Sequence, residues 1–143
     1  MSFAKCQIAD DVLSAFRDIK LKKLYRYVLF VMAEDGTIAV GKKGDRDSTH
    51  EDFVNAVPSF DCRYAIYDYE YCSTDGRKTS KLFFINWSPL NATPRAKIRY
   101  TQAMLSFREH CTGTVHADAQ TEEDLVDLLE DEDVADDDND SDF

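Results

Sequence analysis

The sequence predicts an α+β fold in which a mixed central β-sheet of about five strands is sandwiched by helices on both faces. Three observations predict it. Dense β-forming runs at Tyr25–Ala33, Cys62–Tyr71 and Lys81–Trp87 are interspersed with segments of helical apolar period. Leu82-Phe83-Phe84-Ile85 places apolar side chains on both sides of its strand, which requires cover on both faces of the sheet. The chain has 143 residues, 43% of them hydrophobic and 12% aromatic, enough for one core and short for two domains.

The elements follow in order. Asp10 or Asp11 can cap a first helix over residues 10–23, where Val12, Leu13, Phe16 and Ile19 share a face. Tyr25–Ala33 is the first strand. Asp35-Gly36 then signals a hairpin into Thr37–Val40. Ser48-Thr49-His50-Glu51 has the form of a capping box, opening a short helix that carries Phe53, Val54 and Val57 and stops at Pro58. Cys62–Tyr71 and Lys81–Trp87 flank the polar tip Ser73-Thr74-Asp75-Gly76, a second hairpin. Thr93 caps and Pro94 opens a long helix reaching Thr112, with Gly113 just beyond its end. Val115–Ala119 is a fifth strand. Thr121 caps a last helix with Leu125, Val126, Leu128 and Leu129 on its apolar face. Residues 1–130 are thus read as the domain, and 131–143 as an acidic disordered tail.

Charge is divided in the same way. The formal net charge is −11, and 13 of the 28 acids fall in residues 121–143, which hold no base. The rest of the chain holds 15 acids against 17 bases. Nucleic-acid binding is not expected, because phosphate neutralisation needs clustered Lys and Arg. The longest apolar run, Tyr27–Ala33, is far too short to span a membrane, and the first residues contain no apolar secretory stretch. Cys6, Cys62, Cys72 and Cys111 form no C-x-x-C pair and read as reduced thiols of a cytosolic protein.

Enzymatic chemistry finds little material. His50, His110 and His116 fit no metal-ligand spacing, and no nucleophile elbow or phosphate-cradling glycine loop occurs. Asp68 and Glu70 share a face of their strand and imitate a carboxylate pair. Their position near the strand end suggests instead acids that reach solvent or bond neighbouring backbone. No catalytic residue, metal or cofactor is expected.

The long helix is more informative. Ala96, Tyr100, Ala103, Met104, Phe107 and Cys111 form a core stripe. Arg95, Ile98, Gln102, Leu105 and Glu109 fall on the opposite side, with Lys97, Thr101 and Arg108 on one flank. Ile98 and Leu105 beside Arg95 are what a helix presents to a partner's groove. Arg77, Lys78 and Lys81 form a second basic group on the hairpin, and Lys20, Lys22 and Lys23 a third. Either could meet an acidic protein surface or phosphoinositides, or be merely solvated.

From about Ala9 to Gln120 the chain resembles the actin-depolymerising factor/cofilin family. The resemblance is carried by Asp61-Cys62-Arg63-Tyr64-Ala65-Ile66-Tyr67-Asp68-Tyr69-Glu70-Tyr71. It continues in Lys81-Leu82-Phe83-Phe84-Ile85-Asn86-Trp87-Ser88-Pro89 and Arg95-Ala96-Lys97-Ile98-Arg99-Tyr100, with Ala9-Asp10-Asp11 and Lys20-Leu21 near the start. It implies a cytoplasmic monomer on the actin cytoskeleton, whose long helix enters the cleft of an actin subunit through Arg95, Lys97 and Ile98. It also implies a preference for ADP-actin and promotion of filament disassembly, with a filament contact on Arg77, Lys78 and Lys81.

Several positions depart from the family pattern. Ala4 and Lys5 stand where relatives controlled by phosphorylation have Ser and Gly, and Ser2 is the nearby hydroxyl. Met104 and Leu105 replace a frequent Lys and Asp, and Thr79 replaces an Arg. The last helix, basic in relatives, carries Glu122, Glu123, Asp124, Asp127 and Glu130. The resemblance therefore predicts monomer binding with weaker filament binding. Two alternatives stand beside it: a monomer-sequestering protein without severing, and a non-actin interaction module on the same fold.

Overall fold

Alternation along the strands builds two cores, one on each face of a single sheet. In a computed structural model, which describes residues 6–129, the strands are β1 Gln7–Ile8, β2 Tyr25–Met32, β3 Thr37–Asp45, β4 Arg63–Cys72, β5 Lys78–Trp87 and β6 Val115–Ala119. Val28 and Phe30 of β2, Tyr64 and Ile66 of β4 and Leu82 and Phe84 of β5 enter one core. Tyr27 and Leu29, Ala65, Tyr67 and Tyr69, and Phe83, Ile85 and Trp87 enter the other. A period of two with both phases apolar is what double cover demands.

The sheet has six strands in the order β1-β3-β2-β4-β5-β6. β1 pairs parallel to β3 and β6 parallel to β5, while the central pairings are antiparallel. The two-residue β1 lies outside every β-forming run in the sequence, since its pairing with Thr37 and Ile38 supplies what its propensity lacks. β3 runs five residues past Val40. It bulges against β2, and Gly44 passes over the Tyr27 ring so closely that a Cβ there would lie 2.0 Å from a ring carbon.

Helices α1 (Val12–Lys20) and α3 (Pro94–Arg108) cover the first core; α2 (His50–Ala56) and α4 (122–129) cover the second. α1 is shorter than the apolar pattern suggests. Asp11 occupies its N-cap without a side-chain bond, and beyond Lys20 the chain turns out through Lys23 at φ +57°, with Leu24 N bonding back to Asp18 O. The capping box of α2 is set one residue later than expected, with Thr49 as cap and Asp52 reciprocating. α3 tightens after Arg108 into three-residue turns, His110 N to Phe107 O and Cys111 N to Arg108 O, before Gly113 reverses the chain at φ +79°. Thr121 caps α4 as expected, accepting from Asp124 N at 3.0 Å. Leu125 and Leu129 are buried and Leu128 partly so, but Val126 is exposed. The tail assigned to 131–143, together with Ser2, Ala4, Lys5 and Glu130, lies outside the described residues.

Candidate functional site

α3 is locked by its inner face and presents its outer one. Phe107 is fully buried against the rings of Phe30, Tyr64 and Phe84, with centroids 5.1, 5.2 and 5.9 Å away. Tyr100 accepts a hydrogen bond from Met32 N at 2.8 Å, and Tyr64 donates to the Tyr100 carbonyl. Burial pushes both phenols above their ordinary range, so both stay protonated and neutral. Burial likewise raises the Cys111 thiol to about 12, which fits a packing role.

At its N-terminus, the Thr93 hydroxyl accepts from Ala96 N at 3.1 Å and Pro94 occupies the first turn. Arg99 donates to the carbonyls of Ala33 at 3.0 Å and Glu34 at 2.8 Å, tying the β2–β3 turn to the helix. Lys97 donates to Leu90 O at 3.2 Å and so clips the preceding loop. Arg95 is exposed. Ile98 and Leu105 are 56% and 55% exposed, seven residues apart and therefore stacked on one face about 10 Å apart along the axis. Arg95, Ile98, Gln102, Leu105 and Glu109, expected on the outer side of this helix, are all exposed, and Lys97, expected on its flank, is half-buried.

The structure adds an exposed apolar residue that helical spacing could not reveal: Leu90, 62% exposed, stands in the loop that Lys97 clips. The available signal was an isolated Leu inside the polar loop Ser88–Thr93. Beside Leu105 and Thr112 the surface dips into an open depression of about 450 Å³. This depression is open to solvent, a shape that suits a contact face better than a chamber for a small substrate.

The second basic group lies on the β4–β5 hairpin. The turn closes with Gly76 N to Ser73 O at 2.9 Å and Ser73 N to Arg77 O at 2.8 Å, and Gly76 takes φ +85°. Arg77, 83% exposed, pairs with Asp75 at 2.9 Å; Lys78 is exposed and Lys81 half-buried. The third basic group does not form a patch. Lys20 donates to Thr112 O at 2.7 Å, Lys22 pairs loosely with Asp18 at 3.7 Å, and Lys23 reaches Asp68 at 3.0 Å.

That last contact corrects the expectation for Asp68, while Glu70 is exposed as expected. Asp68 is fully buried rather than solvated at a strand end, held by Lys23 at 3.0 Å and Arg46 at 2.8 Å. Arg26 donates to Asp68 O and pairs with Glu70 at 3.0 Å, and Arg46 also meets Glu70 at 2.7 Å. Burial tends to raise the Glu70 carboxyl, but the bonds from Arg26 and Arg46 outweigh it and hold it below its ordinary value. Paired with cations through Asp68 Oδ2 and both Glu70 oxygens, these carboxylates tie β2, β3 and β4 together, with Asp68 Oδ1 left buried without a partner.

The family described as cofilin/tropomyosin-type actin-binding protein matches residues 5–135. The chain belongs to the actin-depolymerising factor/cofilin family. An actin-depolymerizing factor of Vitis vinifera is 38% identical over 128 residues, covering 86% of this chain and 89% of that protein. Actin-depolymerizing factor 10 of Oryza sativa subsp. japonica is 38% identical over 124 residues, covering 85% and 82%. Among solved structures, Streptomyces griseoflavus cofilin superposes with a TM-score of 0.79 at 26% identity, covering 89% of this chain and 95% of its own. Plasmodium berghei actin depolymerization factor 2 gives 0.74 at 19% identity, covering 94% and 97%, and shows the shared fold. The α+β sandwich is that of cofilin. Members of the family bind actin and are not enzymes.

Proposed function

We propose that this protein binds the actin monomer through the outer face of α3, prefers ADP-actin, and promotes filament turnover in the cytoplasm as a monomer. The observation that carries this reading is the pair Ile98 and Leu105, exposed on a helix whose other side is locked, with Arg95 and Lys97 beside them. Aliphatic anchors desolvate in a cleft while the cations meet an acidic rim. Binding energy, without bond chemistry, then favours one conformation of the bound actin.

Filament contact runs through Arg77, Lys78 and Lys81, and it is weaker than monomer contact because Glu122, Glu123, Asp124 and Asp127 and the acids that follow repel an acidic filament surface. Residues 131–143 act as an acidic appendage to the domain. A monomer-sequestering role without severing is the second reading, favoured by the same acidic helix.

Titration of fluorescent ADP-actin and ATP-actin monomers tests the proposal. Arg95→Glu with Lys97→Glu should weaken monomer binding by about tenfold or more, with the far-ultraviolet spectrum unchanged. Undiminished affinity would overturn it. Direct observation of filaments distinguishes severing from sequestration.

A further inference from the structure

Ser80 lies on the stretch of β5 that has only one hydrogen-bonded neighbour. β4 pairs with β5 from Lys78 to Trp87, whereas β6 joins only at Phe83. The outer edge at residues 78–82 is therefore open among the described residues. The Ser80 side chain is exposed, and its hydroxyl accepts from Lys23 Nζ at 3.0 Å. Arg77 and Lys78 stand three and two positions ahead of it. Ser73 and Thr74 precede these cations, and Thr79 projects from the other face of the strand.

A kinase with an acidic substrate groove would recognise Arg77-Lys78-Thr79-Ser80 by charge, engaging the two cations while the acceptor segment lies extended. We propose that Ser80 is a phosphoacceptor for such a basophilic protein kinase, and that phosphate there turns the hairpin off toward filaments. The second half rests on the reading of Arg77, Lys78 and Lys81 as a filament contact. In the transfer, Ser80 Oγ bonds to the γ-phosphorus of ATP as the bond to the bridging oxygen breaks. ADP leaves, and the hydroxyl proton passes to the kinase's catalytic carboxylate.

The surroundings make the added charge consequential. Phosphoserine carries about −1.5 to −2 charges at neutral pH. Lys23, already shared with Asp68, exchanges a neutral hydroxyl for a strong anionic acceptor. Glu70 lies directly across the strand pair and is repelled. At the hairpin tip Arg77 and Lys78 exceed Asp75 by one charge, which the phosphate reverses. The start of α3 follows the far end of β5, about 23 Å away along the strand, beyond the roughly 10 Å over which exposed charges act at moderate salt. The charged part of the monomer contact, Arg95 and Lys97, is therefore spared, and Leu105 toward the other end of α3 contributes no charge.

The 143-residue protein is incubated with ATP and the catalytic subunit of a cyclic-AMP-dependent kinase, and phosphates are mapped by mass spectrometry. Incorporation at Ser80 is expected; Ser80→Ala should abolish it, and Arg77→Gln with Lys78→Gln should slow it by about tenfold. Absence of phosphate at Ser80, or incorporation indifferent to the two cations, overturns the site. The phosphorylated protein should need about fivefold more protein for half-saturation of filaments in co-sedimentation, with monomer affinity unchanged. Unchanged filament binding, where Arg77→Glu with Lys78→Glu does weaken it, overturns the switch alone. If that charge-reversed variant also binds normally, both the switch and the hairpin reading fail, while the phosphate map still supports the site.

Discussion

Removing a carboxylate from water costs several kcal/mol, and Asp68 recovers this through Lys23 and Arg46 together. Asp68→Asn keeps the shape and deletes the charge, leaving two cations without their shared anion. It should lower unfolding free energy by about 3 kcal/mol in urea titration, the low end for a broken buried pair because both cations retain some solvent contact. Glu70 supplies a pH dependence of definite sign. Its native carboxyl is held below the ordinary value of 4.5, so the unfolded chain takes up that proton first as pH falls. Its contribution is complete above that value and is lost below it. The urea midpoint should drop between pH 6 and 3, and less steeply in Glu70→Gln.

The two faces of α3 should respond to substitution in opposite ways. Phe107→Ala opens a cavity among Phe30, Tyr64 and Phe84, and should cost about 3–5 kcal/mol of stability. Ile98→Ala and Leu105→Ala remove exposed side chains, so stability should stay within about 0.5 kcal/mol. Each should nevertheless weaken actin-monomer binding by about 1–2 kcal/mol, read by fluorescence titration. At the β2–β3 bulge, Gly44→Ala drives a methyl into the Tyr27 ring and should lower the thermal midpoint by several degrees without altering monomer affinity.

Across the whole molecule the charges are segregated, and salt should reveal it. A chain ending at residue 130 should co-sediment with filaments more strongly than the full chain at low ionic strength, and the difference should shrink as salt is added. No difference at low salt would count against repulsion by the tail. The −11 net charge describes the C-terminal acids far more than the sheet and the helices before them.

Local pattern determined the sandwich, the two hairpins, the capped start of α3 and the outward placement of Arg95, Ile98 and Leu105, because strand alternation and helical period are properties of neighbouring residues. Only the tertiary structure decided the rest. β1 exists because β3 lies beside it. Lys23 leaves the basic patch because Asp68, 45 positions away, is buried and needs a cation. The loop carrying Leu90 is tied to α3 because Lys97 holds the Leu90 carbonyl. Burial and pairing between distant segments are fixed by how layers stack, and no local pattern of residues records that.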